Sequence, residues 1–374
     1  QKTAYEIMPS LVGSEMCIRD SDNTGSPTYT LTANSDPVRI GSDYSGRYFN
    51  GVIDEVVIHN KVLEPEDFEI VKFSDFVGSS SFGPKNDVGT GGASVVAIAA
   101  GDLDNDGDLD LVTGSTATTN ELRIWQNDGT PFDGTWTSYQ IDDLGTINDV
   151  AVADLDNDGD LDIIAGCEDG SVQVLENDGT PWGTWSTSID AASTSTNEVE
   201  SVAVGDLDRD GDIDIAVGRS ASGDDIWILR NDGTPFDSSW YKRDIGSPGD
   251  NVRCVAVADL DRDGYLDIIS TQMGEAEDVW IWRNDLHAGG DGNLWDDAWD
   301  TYRDIGGTGE NVRALAVGDL DRDGYLDIVT GQSENGDDVW VWRNDLHDGG
   351  DGNLWDDAWD TVVDIGYLGR NVNS

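Results

Sequence analysis

Five times along this chain, nine consecutive residues place aspartate first, third, fifth and ninth, and glycine sixth. The copies are DLDNDGDLD from Asp102 and again from Asp154, DLDRDGDID from Asp206, and DLDRDGYLD from Asp259 and from Asp319. The carboxylates so placed are Asp102, Asp104, Asp106 and Asp110; Asp154, Asp156, Asp158 and Asp162; Asp206, Asp208, Asp210 and Asp214; Asp259, Asp261, Asp263 and Asp267; and Asp319, Asp321, Asp323 and Asp327. Four carboxylates crowded into nine residues repel one another unless a cation lies among them. Calcium suits such a loop, because it takes several hard oxygen ligands in flexible geometry. The seventh residue would add its backbone carbonyl, from Asp108, Asp160, Asp212, Tyr265 or Tyr325. Glycine at the sixth place permits the positive φ that folds the chain back on an ion. One calcium per loop, five in all, is the expectation.

Comparison between copies supports this. All twenty side-chain ligand places hold Asp, whereas the fourth place alternates between Asn and Arg and the seventh between Asp and Tyr. Free variation is expected of a residue that lends only its backbone. Asp-rich turns also form without an ion, since Asp bonds its own backbone, but five identical carboxylate sets favour the cation. An EF-hand would need Glu at the twelfth place and flanking helices. That place holds Thr113, Ala165, Val217, Ser270 and Thr330, and the flanks are strand-like, which excludes it.

The elements that must position these loops repeat with them. Successive first aspartates lie 52, 52, 53 and 60 residues apart, the last period lengthened by the insertion NDLHAGGDGNLWDDAWD. Each period reads as four short apolar runs; in the fourth copy these are VRCVAVADL, LDIIST, DVWIWRND and TYRDIG. Four strands in about fifty residues, apolar on both faces, describe one blade of a β-propeller. The fold class is therefore all-β, with five blades visible over residues 94–374 and a sixth begun at GRNVNS. Trp280 and Trp282 share one face of a strand and are expected to fill a gap between blades. The other tryptophans are expected in blade cores, except Trp295, Trp299, Trp355 and Trp359 in the acidic insertions, which are expected to be partly exposed. Cys167 and Cys254 read as small core fillers. The segment FGPKNDVG, within residues 75–93, resembles the outer-strand segment YKRDIGSPG and is read as a linker or closing outer strand.

The formal charge of −55, from 76 acidic and 21 basic residues, excludes nucleic acid as a partner. No apolar run is long enough to span a bilayer. Three cysteines cannot build a disulfide framework. The sequence holds no Gly-x-Ser-x-Gly elbow, phosphate loop, HExxH or CxxC, and no catalytic residue is assigned. His287 and His347 occupy the same place in duplicated insertions, and His59 reads as a surface strand residue.

The repeated loops and strands of residues 94–374 resemble FG-GAP (VCBS) repeats, the blades of integrin-alpha-type propellers. That resemblance implies a ring of typically seven blades, calcium between the first two strands of each, and an extracellular or cell-surface setting. The Phe-Gly/Gly-Ala-Pro signature that names the family is absent from these copies. Residues 28–74, with PVRIGSDYSGRYFNGVIDEVVIHNKVLEPEDFEIV, resemble the C-terminal part of a laminin-G-like, concanavalin-A-like jelly roll. Residues 1–27 match neither part; YEIMPSLVGSEMCIRDS resembles a translated sequencing adapter, and this stretch is read as non-native. The expected function is non-catalytic recognition of a glycan or an extracellular protein, within a longer multidomain chain. The rival expectations are a propeller-based lyase or hydrolase acting on polysaccharides, and a structural spacer.

Overall fold

In the computed structural model, the described residues are 5–6, 19–20, 87–89, 94–116, 122–132, 136–141, 144–183, 185, 188–191, 197–220, 225–236, 240–246, 251–272, 279–284, 299, 302–306, 312–332, 339–344 and 362–366. The chain divides into two units, Gln1–Gly83 and Pro84–Ser374. In the first, Tyr5–Glu6 pairs antiparallel with Arg19–Asp20. The jelly-roll segment 28–74, His59, His287, His347, Trp295, Trp355, Trp359, Cys17 and the GRNVNS end all lie outside the described residues.

The second unit holds five four-stranded antiparallel sheets, each with its strands in sequential order. Blade 1 comprises Val95–Gly101, Asp110–Ser115, Leu122–Gln126 and Thr137–Gln140. Blade 2 comprises Ile147–Ala153, Asp162–Cys167, Val172–Leu175 and Ser188–Asp190. Blade 3 comprises Val199–Gly205, Asp214–Arg219, Ile226–Arg230 and Tyr241–Gly246. Blade 4 comprises Val252–Ala258, Asp267–Gln272, Val279–Trp282 and Tyr302–Gly306. Blade 5 comprises Val312–Gly318, Asp327–Gln332, Val339–Trp342 and Val362–Gly366. The first strands of successive blades touch in turn from blade 1 to blade 5, the arrangement of a β-propeller. All described elements are strands, as expected, and no helix among the described residues is long and apolar enough to cross a membrane.

The core lies between blades, because each sheet is apolar on both faces and must bury both. The second strands of blades 2, 3 and 4 are buried at all six positions. Leu207, Ala216, Ile226 and Ile228 of blade 3 pack with Val252, Val255, Ile268, Trp282 and Trp299. Glycine in the second strand sets the spacing. A Cβ on Gly218 would lie 2.6 Å from Val252 and 2.9 Å from Val255, and Gly114 and Gly166 meet Ile147 and Val199 in the same way at 2.6 Å. Blade 1 shows what this contact covers: Ile98 is 63% exposed, whereas Val150, Val202 and Val255 at the same place in blades 2, 3 and 4 are 5%, 6% and 7% exposed.

The tryptophans expected in blade cores divide: Trp136, Trp182, Trp185, Trp240 and Trp340 are only partly buried. Trp125, Trp227, Trp282 and Trp342 are buried, and the Trp280 and Trp282 rings stack with centroids 6.3 Å apart. Trp299, expected to be partly exposed, is 2% exposed and belongs to the core between blades 3 and 4. Its acidic neighbours pointed to solvent, but a large aromatic buries well beside Trp282 whatever its sequence neighbours carry. Cys167 is fully buried, whereas Cys254 is only partly so and gives its Sγ proton to the Arg313 carbonyl at 3.2 Å. Both thiols are free, and burial pushes each up to about 11.

The resemblance of residues 82–89 to an outer strand has a structural counterpart at its end. Gly246 packs against the Trp282 ring and Gly306 against the Trp342 ring, where an added Cβ would lie 2.8 and 3.2 Å away, and each amide donates to the Asp two residues earlier. Gly89 lies on Trp125 and its amide bonds Asp87 in the same manner.

Candidate metal centre

The five loops join the first and second strands of their blades. Each is closed by a backbone pair between the last residue of the first strand and the ninth-place Asp: Gly101 with Asp110, Ala153 with Asp162, Gly205 with Asp214, Ala258 with Asp267 and Gly318 with Asp327. The sixth-place glycines have φ of 97, 97, 97, 92 and 93°, as the sequence requires. The fourth place is also left-handed, with φ of 58° at Asn105, 62° at Asn157, 61° at Arg209 and Arg262, and 65° at Arg322. Asn tolerates that region and Arg is strained there.

Amides inside the loop turn toward the carboxylates. In loop 1, Asp106 N donates to Asp102 Oδ1 at 3.0 Å, Gly107 N to Asp102 Oδ2 at 2.9 Å and Asp108 N to Asp106 Oδ1 at 2.9 Å. The ninth-place Asp is the anchor. Asp110 accepts from Leu103 N at 3.1 Å and Asn127 N at 2.9 Å, a pattern repeated at Asp162, Asp214, Asp267 and Asp327. These five side chains are at most 1% exposed.

Carboxylate oxygens converge within 4.8 Å of one another at every loop. The groups are Asp102, Asp104 and Asp110; Asp154, Asp156 and Asp162; Asp206, Asp208 and Asp210; Asp259, Asp261 and Asp263; and Asp319, Asp321 and Asp327. The first and third places therefore meet in all five, joined by the ninth in loops 1, 2 and 5 and by the fifth in loops 3 and 4. Asp106, Asp158, Asp323, Asp214 and Asp267 stand outside these triads. At the first place, the buried Oδ1 atoms of Asp206, Asp259 and Asp319 have no hydrogen-bond partner among the described residues. A buried carboxylate oxygen without a donor is costly, and a hard cation among three such groups would satisfy it. The residues present thus fit calcium.

Burial also shapes the protonation of the anchors. Loss of water pushes the Asp110 carboxyl up to about 6, Asp162 to about 7 and Asp214 to about 8, against the opposing pull of the two amides each accepts. A carboxyl whose folded value lies above its unfolded 3.8 stabilises the fold below that unfolded value and loses its contribution as pH climbs through the folded one. In chelator, the melting temperature is therefore expected to fall by several degrees between pH 5 and pH 8. Melts across that range check this, and a rise would contradict it.

The repeated loop and its blade are the features that comparison with known proteins recognises. Profiles of the FG-GAP-like repeat match residues 102–165, 154–217 and 210–270. The chain carries FG-GAP-like repeats. A concanavalin A-like lectin/glucanases superfamily profile matches residues 19–68. No curated protein matches the chain. Among solved structures, that of BBS1N in complex with ARL6DN is similar at 14% identity with a TM-score of 0.43, covering 67% of this chain and 66% of that one.

Three features of these FG-GAP-like blades escape sequence reasoning. First, an asparagine follows the third strand of every blade by one or two residues. Asn177 Nδ2 donates to the Leu103 carbonyl of the preceding loop at 2.9 Å, and Asn231, Asn284 and Asn344 reach Leu155, Leu207 and Leu260 at 2.7, 2.7 and 2.9 Å. Each thereby ties one loop to the blade that follows. Its recurrence in NDG and NDL is visible in the sequence, but nothing in the spacing shows its partner.

Second, the fourth and seventh places do not vary freely, which corrects the sequence reading. Asn105 Nδ2 donates to Asp160 Oδ1 of the next loop at 2.7 Å, and Asn157 Nδ2 to Asp212 Oδ1 at 2.9 Å. Where the fourth place is Arg, the next seventh place is Tyr, with Arg209 over Tyr265 and Arg262 over Tyr325 at 5.0 Å. The two places change together because the side chains meet across the blade boundary. Third, an arginine at the end of the third strand lies on the carboxylates of loops 3, 4 and 5.

Proposed function

We propose that this protein is a calcium-stabilised β-propeller that recognises a glycan or an extracellular protein and performs no catalysis. The observation that carries the reading is the convergence of carboxylate oxygens within 4.8 Å at the same place in all five blades. An all-oxygen donor set is what calcium prefers over softer metals. The first- and third-place Asp of each loop would hold the ion, with the ninth or fifth as the third carboxylate, and bound calcium supplies the positive charge that lets these groups sit together ionised. The propeller then serves as a rigid frame presenting its loops to a ligand. Calcium at extracellular levels would keep weak sites of this class filled, in keeping with a secreted or cell-surface setting. The concanavalin A-like match at residues 19–68 supports a recognition role by analogy of fold.

The test is a glycan array and a panel of extracellular matrix proteins, run beside a polysaccharide-degradation assay on the same calcium-loaded preparation. Retention on a glycan or protein with no new sugar ends is expected. Release of unsaturated or reducing sugars would replace the reading with a polysaccharide lyase or hydrolase. Failure to bind anything in either panel would leave a structural spacer.

A further inference from the structure

The five loops share a carboxylate pattern but not a charge balance. The residue at or just past the end of the third strand, immediately before the blade's asparagine, is Gln126, Glu176, Arg230, Arg283 and Arg343 in blades 1 to 5. In loop 1 the neutral Gln126 Nε2 donates to Asp104 Oδ2 at 3.4 Å, and Trp182 Nε1 of the next blade donates to the same oxygen at 3.1 Å. Loop 2 has the negatively charged Glu176 at this place.

The other three loops contain a cation of their own. Arg230 Nε lies 2.6 Å from Asp208 Oδ2, and its Nη2 lies 2.9 Å from Asp210 Oδ2. Arg283 Nη2 lies 2.7 Å from Asp261 Oδ2 and 3.6 Å from Asp263 Oδ2. Arg343 Nε lies 2.6 Å from Asp321 Oδ2, and its Nη2 lies 3.5 Å from Asp323 Oδ2. Each guanidinium thus bridges the third- and fifth-place carboxylates. Counting the loop aspartates, the fourth place and this strand-end residue, the formal charges are −5, −6, −3, −2 and −2 from loop 1 to loop 5.

We propose that Arg230, Arg283 and Arg343 are built-in counter-cations that divide the array into two kinds of site. Loops 1 and 2 need a bound divalent cation to hold their carboxylates together. Loops 3, 4 and 5 keep their shape on the arginine and bind the ion more weakly, because the ion must win ligand oxygens already engaged by a guanidinium. This inference rests on the calcium reading above. Charge count at the ligands is a main determinant of calcium affinity, and the spread between loops 2 and 5 is four formal charges. The arginine side chains are 30%, 27% and 30% exposed, so each has room to swing toward solvent when an ion enters.

The experiment uses the full chain, with calcium titrated calorimetrically into chelator-stripped protein and amide exchange followed loop by loop. Two sites are expected to be tighter than the remaining three by about tenfold or more. On chelation, amides of residues 103–110 and 155–162 are expected to lose protection well before those of 207–214, 260–267 and 320–327. Arg283→Gln is expected to tighten calcium at loop 4 about tenfold and to raise its exchange in chelator. Gln126→Arg is expected to do the reverse at loop 1. Five equal sites, with both substitutions silent, would overturn the inference while leaving calcium binding intact. No binding heat and no response to chelator would instead sink the calcium reading.

Discussion

Stripping calcium from this protein is expected to lower its melting temperature by about 10–20 °C from loops 1 and 2 alone. An ion that binds only the folded state at a hundred times its dissociation constant contributes about 2.7 kcal/mol per site. Two such sites give about 5 kcal/mol, and each kcal/mol shifts the midpoint of a domain this size by about 2–4 °C. The physical cause is local. Without the ion, Asp102 and Asp104, or Asp154 and Asp156, keep carboxylate oxygens within 4.8 Å of a buried ninth-place carboxylate, and among the described residues the strand-end arginine pairs of loops 3 to 5 have no counterpart there. Calorimetric melts in chelator, then after restoring calcium, are the measurement. Magnesium should restore less, because it demands tighter octahedral geometry and sheds water reluctantly. An unchanged melting curve in chelator would remove calcium from the account of this fold.

Trp282→Ala is expected to cost about 3–5 kcal/mol, the range for deleting a buried aromatic. Trp282 is 1% exposed, its Nε1 donates to Ser270 Oγ at 2.9 Å, and Gly246 rests on its ring. It also touches Tyr302 across the sheet, with centroids 4.9 Å apart, and closes the core shared by blades 3 and 4. Removing it opens a cavity at a blade boundary, where rigid strands on both sides limit collapse. Trp282→Phe keeps most of the burial and loses the hydrogen bond, for about 1 kcal/mol plus a smaller void. Urea unfolding in saturating calcium separates these effects from metal loss. A cost below about 1 kcal/mol for the alanine variant would show that the blade boundary repacks.

The acidity of the chain now has a structural distribution. Loops 1 and 2 carry their charge without internal relief, whereas loops 3 to 5 offset part of it with two arginines each, one at the fourth place and one at the strand end. The nine-residue loops alone carry formal charges of −5, −5, −4, −3 and −3 and leave the full difference unseen. The difference emerges only when Arg230, Arg283 and Arg343, more than twenty residues from the first Asp of their loops, are seen lying on the carboxylates.

By itself, the sequence determined the repeated loop, its sixth-place glycine, the four strands per blade and hence the propeller of FG-GAP-like repeats. These are legible because each is written within a few adjacent residues, where backbone geometry and side-chain alternation leave little choice. Only the tertiary structure decided what joins the blades: the Asn177, Asn231, Asn284 and Asn344 staples, the pairing of fourth and seventh places, the burial of Trp299 and the arginines over loops 3 to 5. Those contacts link residues on different strands or different blades, and periodicity carries no information about which side chains meet there. Packing two sheets face to face supplies that information, because it selects the partners whose volume, charge and hydrogen bonds are satisfied together.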